Sequence, residues 1–268
     1  MNAFDYRRPQ RLTEAIAQLR SDPDAKLLAG GQSLLAAMKL RFAAPSALID
    51  LQDLPALNLL HEDGTGLWIG AMCCHAKVAA SPLVRARAPM LAALAQGIGD
   101  QQVRHRGTLG GSIANADPAA CWPAGVIALN GTVCTDRREI AADDFFTGLF
   151  GTALEADEIV CGVRFPAAGE AHYIKFEQPA SRFALTGVAV ARSPAGVRVA
   201  VTGLGNGIWR WRAAEQALAD DFAPGVLQGL CVDPAEASGD IHASAEYRAH
   251  LAGVLTRRAV QHIQKISA

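Results

Sequence analysis

Leu27-Leu28-Ala29-Gly30-Gly31-Gln32-Ser33-Leu34 ends an apolar run in a glycine pair followed by a hydroxyl, and Thr108-Leu109-Gly110-Gly111-Ser112 repeats that ending about eighty residues later. Around the first stretch, Ala25 to Ala29 reads as a strand and Gly30 to Ser33 as a turn. Leu34 to Leu40 has helical composition up to Pro45. A strand, glycine turn and helix in succession direct main-chain N–H groups and the positive end of a helix toward one point, where an anion can sit. Glycine lets that anion approach the backbone closely. A single glycine turn usually serves chain reversal. Two of them, side by side, can clamp a diphosphate from both sides.

Outward from this pair, Phe4 to Ser21 reads as a helix, and Ala47 to Leu51, Leu57 to His61 and Leu67 to Ala71 as short strands, with a hairpin connection at Glu62 to Gly66. Pro82 to Gln96 is Ala/Leu-rich and reads as one helix ending at Gly97 and Gly99. The segment from Gln101 to Pro118 is too rich in glycine and polar residues for a core helix. Pro123 to Leu129 is helical, Thr132 to Cys134 a strand, and Glu158 to Phe165 a strand stopped by Pro166. The pattern then changes: strands at Tyr173 to Phe176, Thr186 to Ala191 and Val197 to Gly203 precede Ala-rich helices at Ala213 to Ala219 and Ala243 to Ile263, which sets a domain boundary near Pro166 to Glu170.

Composition narrows the function. The chain has 268 residues, half of them hydrophobic, and a formal net charge of −1. That is enough for a core in two domains, and no basic run offers a nucleic-acid footprint. Apolar runs such as Val126 to Leu129 and Ile159 to Val163 fall far short of the roughly 20 residues that cross a bilayer. The N-terminal residues lack a secretory pattern, so a cytoplasmic location with reduced thiols is expected. The six cysteines, Cys73, Cys74, Cys121, Cys134, Cys161 and Cys231, show no C-x-x-C pair, so no metal site or iron–sulfur centre is expected within the chain. Walker, G-x-G-x-x-G, G-x-S-x-G and H-E-x-x-H motifs do not occur. The histidines, His61, His75 and His105 among them, read as surface or structural residues. A diphosphate clamp without those signatures points to a dinucleotide held by backbone amides, and FAD fits that description. Asn115 and Asp117 can bond a ribityl hydroxyl, or Asp117 can close the turn before Pro118 on itself.

These stretches resemble a known family. Leu27 to Leu34, Arg106 to Ala120, Tyr173-Ile174-Lys175-Phe176-Glu177-Gln178-Pro179-Ala180-Ser181-Arg182-Phe183-Ala184 and Ser244-Ala245-Glu246-Tyr247-Arg248 together resemble the FAD-binding medium subunit of the molybdenum hydroxylases, the group of carbon monoxide dehydrogenase and xanthine dehydrogenase. The resemblance implies an α+β fold. An FAD-binding domain of the vanillyl-alcohol-oxidase (PCMH) type spans 1–168, with subdomains of about 1–57 and 58–168, and a smaller α+β domain spans 171–268. It implies that Leu27, Leu28, Ala29, Gly30, Gly31, Gln32, Ser33 and Leu34, with Thr108, Leu109, Gly110, Gly111 and Ser112, wrap the diphosphate. It places Ile98 beside the flavin ring and Val160 at the ring edge. Lys175 falls near the pyrimidine side, and Tyr173 is a ring-stacking aromatic. One position departs from the family: Cys121 stands where an acidic residue often bonds the flavin's hydroxyls, and a thiol is a poor acceptor for a hydroxyl.

The role implied is electron transfer without a catalytic residue in this chain. Electrons from a molybdenum cofactor in a large partner subunit cross two [2Fe–2S] clusters in a small partner and leave through the FAD held here, in an assembly that is a dimer of heterotrimers. Two other readings follow from the same residues: a self-contained flavin dehydrogenase or oxidase, and a flavin-free assembly subunit, which the Cys121 departure keeps open. If the second loop faces the diphosphate, Gly110→Val is expected to expel the flavin from a chain that stays folded, read as loss of yellow colour.

Overall fold

The computed structural model describes residues 1–167, 169–205 and 207–267. The first element is a strand, β1 (Asp5–Arg7), where the composition predicts a helix from Phe4; the helix, α1, spans only Leu12–Ser21. The reason is tertiary. β1 pairs in parallel with β3 (Ala47–Asp50), which pairs in parallel with β2 (Lys26–Leu28), and α2 (Leu34–Lys39) lies between β2 and β3 in the chain. β3 is buried at every position, as the middle strand of a parallel sheet should be. Ala15, Leu19, Ile49 and Leu57 pack with Ile159 from far along the chain.

The second sheet is antiparallel. β4 (Leu60–Asp63) and β5 (Gly66–Gly70) form a hairpin, and the sheet continues β5–β10–β6–β7 through β10 (Val160–Phe165), β6 (Thr132–Thr135) and β7 (Glu139–Ala141). The stretch expected as a strand from Leu57 begins instead as a 3-10 turn at Pro55–Asn58, because Pro55 sets its first position. Helices fill the long connection from β5 to β6: α3 (His75–Ala80), α4 (Pro82–Arg87), α5 (Pro89–Gln96), α6 (Gln101–Arg106), α7 (Leu109–Asn115) and α8 (Cys121–Ala128). The single helix predicted from Pro82 is therefore two, broken at Ala88, whose non-helical backbone precedes Pro89. The region from Gln101 is also corrected. It forms α6 and α7, and the glycines of α7 allow rather than prevent the helix, since Leu109, Gly110 and Ile113 are buried against the sheet. α9 (Ala142–Phe145) and a small hairpin of β8 (Phe146–Gly148) and β9 (Gly151–Thr152) complete this part.

The last sheet is a meander of β11 (Glu170–Glu177), β12 (Ala184–Ser193), β13 (Gly196–Thr202) and β14 (Trp209–Arg210), followed by α10 (Arg212–Asp220) and α11 (Ala245–Ser267). Alternation along β12 explains how it is buried on both faces. Val188 and Val190 join Val199 and Val201 under α10 and α11, whereas Ala189 and Ala191 join Ala200 in the core that holds α8. Alanine on that face lets α8, buried all round, lie close. No helix among the described residues is long and apolar enough to cross a membrane.

This third sheet also holds the loop before α8. Thr202 Oγ1, fully buried, lies 2.6 Å from Pro118 O and 2.9 Å from Ala120 O, and the Gly203 amide donates to Pro118 O at 2.7 Å. Thr202→Val keeps the shape and removes the hydroxyl donor from buried carbonyls, so stability should fall by about 1–3 kcal/mol. The denaturation midpoint measures this.

Candidate functional site

A cavity of about 700 Å³ runs between the first sheet, the helical region and the start of the last sheet, within the range of small-molecule and cofactor sites. Both glycine loops border it, and they touch each other. A Cβ on Gly30 would lie 2.2 Å from the Arg106 carbonyl oxygen and 2.7 Å from Gly107 Cα, and one on Gly111 would lie 3.3 Å from Ala29 Cβ. Gly31 has φ +72°, so glycine is required there by conformation as well.

The loops differ in what they can offer a ligand. In the first, the N–H groups of Gly31, Gln32, Ser33 and Leu34 have no protein acceptor among the described residues; the first bond of α2 is Ala37 N to Ser33 O. In the second, Leu109 N donates to Cys73 O, Gly110 N to Ala71 O, Gly111 N to Thr108 Oγ1 and Ser112 N to Thr108 O. Its amides are engaged, so what that loop can offer a ligand is the Ser112 hydroxyl and the Asn115 side chain, both of residues that border the cavity. Leu109 does not border it and sits wholly in the core.

Gly110 needs a different reading from the one its motif invites. A Cβ there would lie 2.5 Å from Ala71 Cβ and 2.8 Å from Ala71 Cα and O. Gly110→Val therefore first breaks the seat of α7 on β5, and loss of a ligand from that variant would report on folding.

Of the other residues singled out, Leu27, Leu28, Ile98, Asp117, Cys121 and Val160 border the cavity. Asp117 Oδ1 accepts from Ala119 N at 2.8 Å and closes its own turn, while burial pushes its carboxyl up from the ordinary value. Burial also raises the Cys121 thiol, which stays protonated. Tyr173 and Lys175 do not line the space. Tyr173 is packed behind Cys121, its hydroxyl beside that thiol, and burial holds its pKa well above the ordinary value. Lys175 Nζ donates to Gly97 O at 2.8 Å and to Arg182 O, with Glu177 Oε2 at 3.7 Å. It ties the two sides of the mouth together: Ile98 follows Gly97 on one, and Phe183 follows Arg182 on the other.

Several lining residues were given no site role in the sequence reading. Ser181, Arg182 and Phe183 lie where β11 turns back, Phe150 on the β8–β9 turn, and Met72 and His75 after β5. The turn signal Gln178-Pro179-Ala180-Ser181 could have located the first group; His75 had no such signal. Residues Leu154, Glu155, Ala156 and Glu158 form a further wall. Glu158 anchors it: its buried carboxylate accepts from Arg138 Nε at 2.9 Å and Nη2 at 2.7 Å, Thr135 Oγ1 at 2.7 Å and Glu155 N at 2.9 Å. Those donors lower its pKa to about 2, the Arg138 bonds first.

Residues 2–168 match the family of the FAD binding domain in molybdopterin dehydrogenase. The chain is 39% identical over 272 residues to the nicotine 6-hydroxylase medium subunit of Paenarthrobacter nicotinovorans, covering 96% of each. It is 36% identical over 278 residues to the carbon monoxide dehydrogenase medium chain of Hydrogenophaga pseudoflava, again covering 96% of each. In the solved structure of quinoline 2-oxidoreductase from Pseudomonas putida 86, a chain superposes with a TM-score of 0.89 at 30% identity, covering 98% of both.

Glu158→Gln should cost about 1–3 kcal/mol at neutral pH through weakened charge-assisted bonds. The folded pKa of about 2 lies below the ordinary 4.5, so the carboxylate's contribution is complete above pH 4.5 and is lost as pH falls through 2. Denaturation of both proteins across that range should show their difference shrinking toward acid.

Proposed function

The chain belongs to the family of FAD-binding medium subunits of molybdenum hydroxylases, and from that premise we propose that it holds one FAD in the cavity between its glycine loops. It then passes electrons from [2Fe–2S] clusters of a partner chain to an external acceptor. The observation that carries the placement is the row of N–H groups from Gly31 to Leu34, without a protein acceptor among the described residues, bordering a cavity of about 700 Å³. Such a row is an anion cradle that needs no lysine. Bound there, FAD supplies the step between single-electron iron–sulfur donors and the acceptor.

The chain's residues hold, orient and insulate. The first loop donates its amides to the diphosphate. From the second, the Ser112 hydroxyl and the Asn115 carboxamide serve the hydroxyl-bearing stretch, and Gly111 keeps the loops close. Ile98 and the half-exposed Phe183 provide apolar faces for the ring at the mouth. Lys175 is a positioning residue that fixes the distance between those faces. Val160 and Cys121 fill the wall, Cys121 as a small neutral group rather than a hydroxyl acceptor.

The relatives named above as medium subunits or chains imply partners, and the partners proposed are a large molybdenum-cofactor subunit and a small [2Fe–2S] subunit in a dimer of heterotrimers in the cytoplasm. The FAD-binding part is placed at 1–168, with subdomains of about 1–57 and 58–168, and the C-terminal domain at 171–268. The family match, which ends at residue 168, supports that boundary.

Two substitutions test the placement. Ser33→Asp puts a carboxylate at a helix N-cap, where it is tolerated or stabilising, yet beside the diphosphate. FAD affinity should drop at least about tenfold, with the denaturation midpoint unchanged or higher, as expected for a like charge a few ångströms away. Equal affinity in titrations of the purified full chain would move the diphosphate elsewhere. Lys175→Met removes a cation that bonds two carbonyls, so stability should fall by about 1–3 kcal/mol. Bound FAD should also dissociate faster, followed by recovery of flavin fluorescence.

A further inference from the structure

We propose that His75 is a binding residue of the cofactor site, its Nε2–H donating to an oxygen of the dinucleotide's diphosphate–ribityl stretch, and that Trp122 fixes the tautomer that makes this possible. The proposal rests on FAD occupying the cavity.

His75 opens α3 directly beside the second loop, and its own amide donates to Gly107 O at 3.0 Å. The side chain is 5% exposed and borders the cavity. On its far side, Trp122 Nε1 lies 3.0 Å from His75 Nδ1, with the two rings tilted by 41°. Indole nitrogen can only donate. Nδ1 must therefore accept, and in the neutral ring the proton sits on Nε2. Trp122 is completely buried, one of the largest fully buried side chains of the core, so this donor cannot turn away.

Nε2–H has no protein acceptor among the described residues. Its neighbour is Gly107, where a Cβ would lie 2.6 Å from Nε2. Glycine at 107 thus keeps clear the space beside the nitrogen. His75 borders the cavity, so the group that can provide the acceptor for this donor is whatever fills that space. Burial first, then the nearby charge of Arg104, lowers the ring's pKa to about 4, so the imidazole is neutral under physiological conditions. The site gains a hydrogen-bond donor without a positive charge, and the first loop has the same character: both hold an anion by dipoles.

The test uses the full chain labelled with 15N-histidine. Before FAD is added, the His75 ring should show a bare Nδ1 and a protonated Nε2; addition of FAD should shift the Nε2–H signal, and the 31P resonances of bound FAD should differ between wild type and variant. His75→Phe should weaken FAD binding about 10- to 100-fold, the range for one hydrogen bond to a charged group. His75→Gln, which restores an N–H near the same place, should recover most of that loss. Trp122→Phe should populate both tautomers and weaken binding to a lesser extent. If wild type does not bind FAD, the cofactor reading fails and takes this proposal with it. If wild type binds FAD but the Nε2–H signal does not move, or His75→Phe binds equally well, the His75 role alone is overturned. Should His75→Phe not fold, the wild-type 15N titration and His75→Gln decide between the same outcomes.

Discussion

Everything at the site depends on how closely two pieces of backbone approach. Gly30 lies against the carbonyl of Arg106 and the Cα of Gly107 with room for nothing larger than hydrogen. That contact joins the parallel sheet of β1–β3 to the helical region after β5, two parts of the chain that otherwise have separate cores. A methyl group at residue 30 would push the loops apart by more than an ångström to reach an ordinary contact distance. The cavity is the space on the open side of this contact, so its width follows from two glycines rather than from any side chain that reaches into it.

The joined loops then divide the work by hydrogen-bond accounting. The second loop satisfies its own amides on Ala71, Cys73 and Thr108, which makes it a rigid wall. The first leaves a run of amides without acceptors among the described residues, donors that are free to meet an anion. Rigidity on one side and unsatisfied donors on the other give a site that is preorganised and yet incomplete without a ligand. Charged side chains serve elsewhere in the same frame. Glu158 and Arg138 hold the lower wall, Lys175 holds the mouth, and neither pair of contacts requires a ligand for its partner set.

What could be read from sequence follows a physical rule. The glycine loops were legible because glycine pairs after an apolar run have few purposes, and the alternating Val/Ala pattern of β12 marks a strand whatever surrounds it. Propensity misled at Phe4, where pairing with β3 outweighed helical preference, and at Gln101, where glycines that lower helix propensity were the condition for packing α7 on Ala71. Lys175 was read as a residue beside the ring, and residue type cannot reveal that two carbonyls, of Gly97 and Arg182, already hold its ammonium. Phe183 was missed because its place depends on the turn that brings β11 back upon β12.

The last sheet then matters to a site built mostly by residues before it. Its alanine face admits α8, and α8 begins at Cys121, which borders the cavity, and Trp122, which does not. Thr202 and Gly203 pull the Pro118–Ala120 carbonyls onto the same sheet, while β11 carries Lys175 to the opposite mouth. A valine in place of Ala189 would add two methyl carbons where α8 now sits, and the displacement would travel along α8 to Cys121 and Trp122. Overpacking of this kind commonly costs about 1–3 kcal/mol, but its functional cost would be larger, because the parts displaced are those that shape the cavity's rear wall. The last sheet is thereby a template for the site, acting through the size of three alanines and the reach of one hydroxyl.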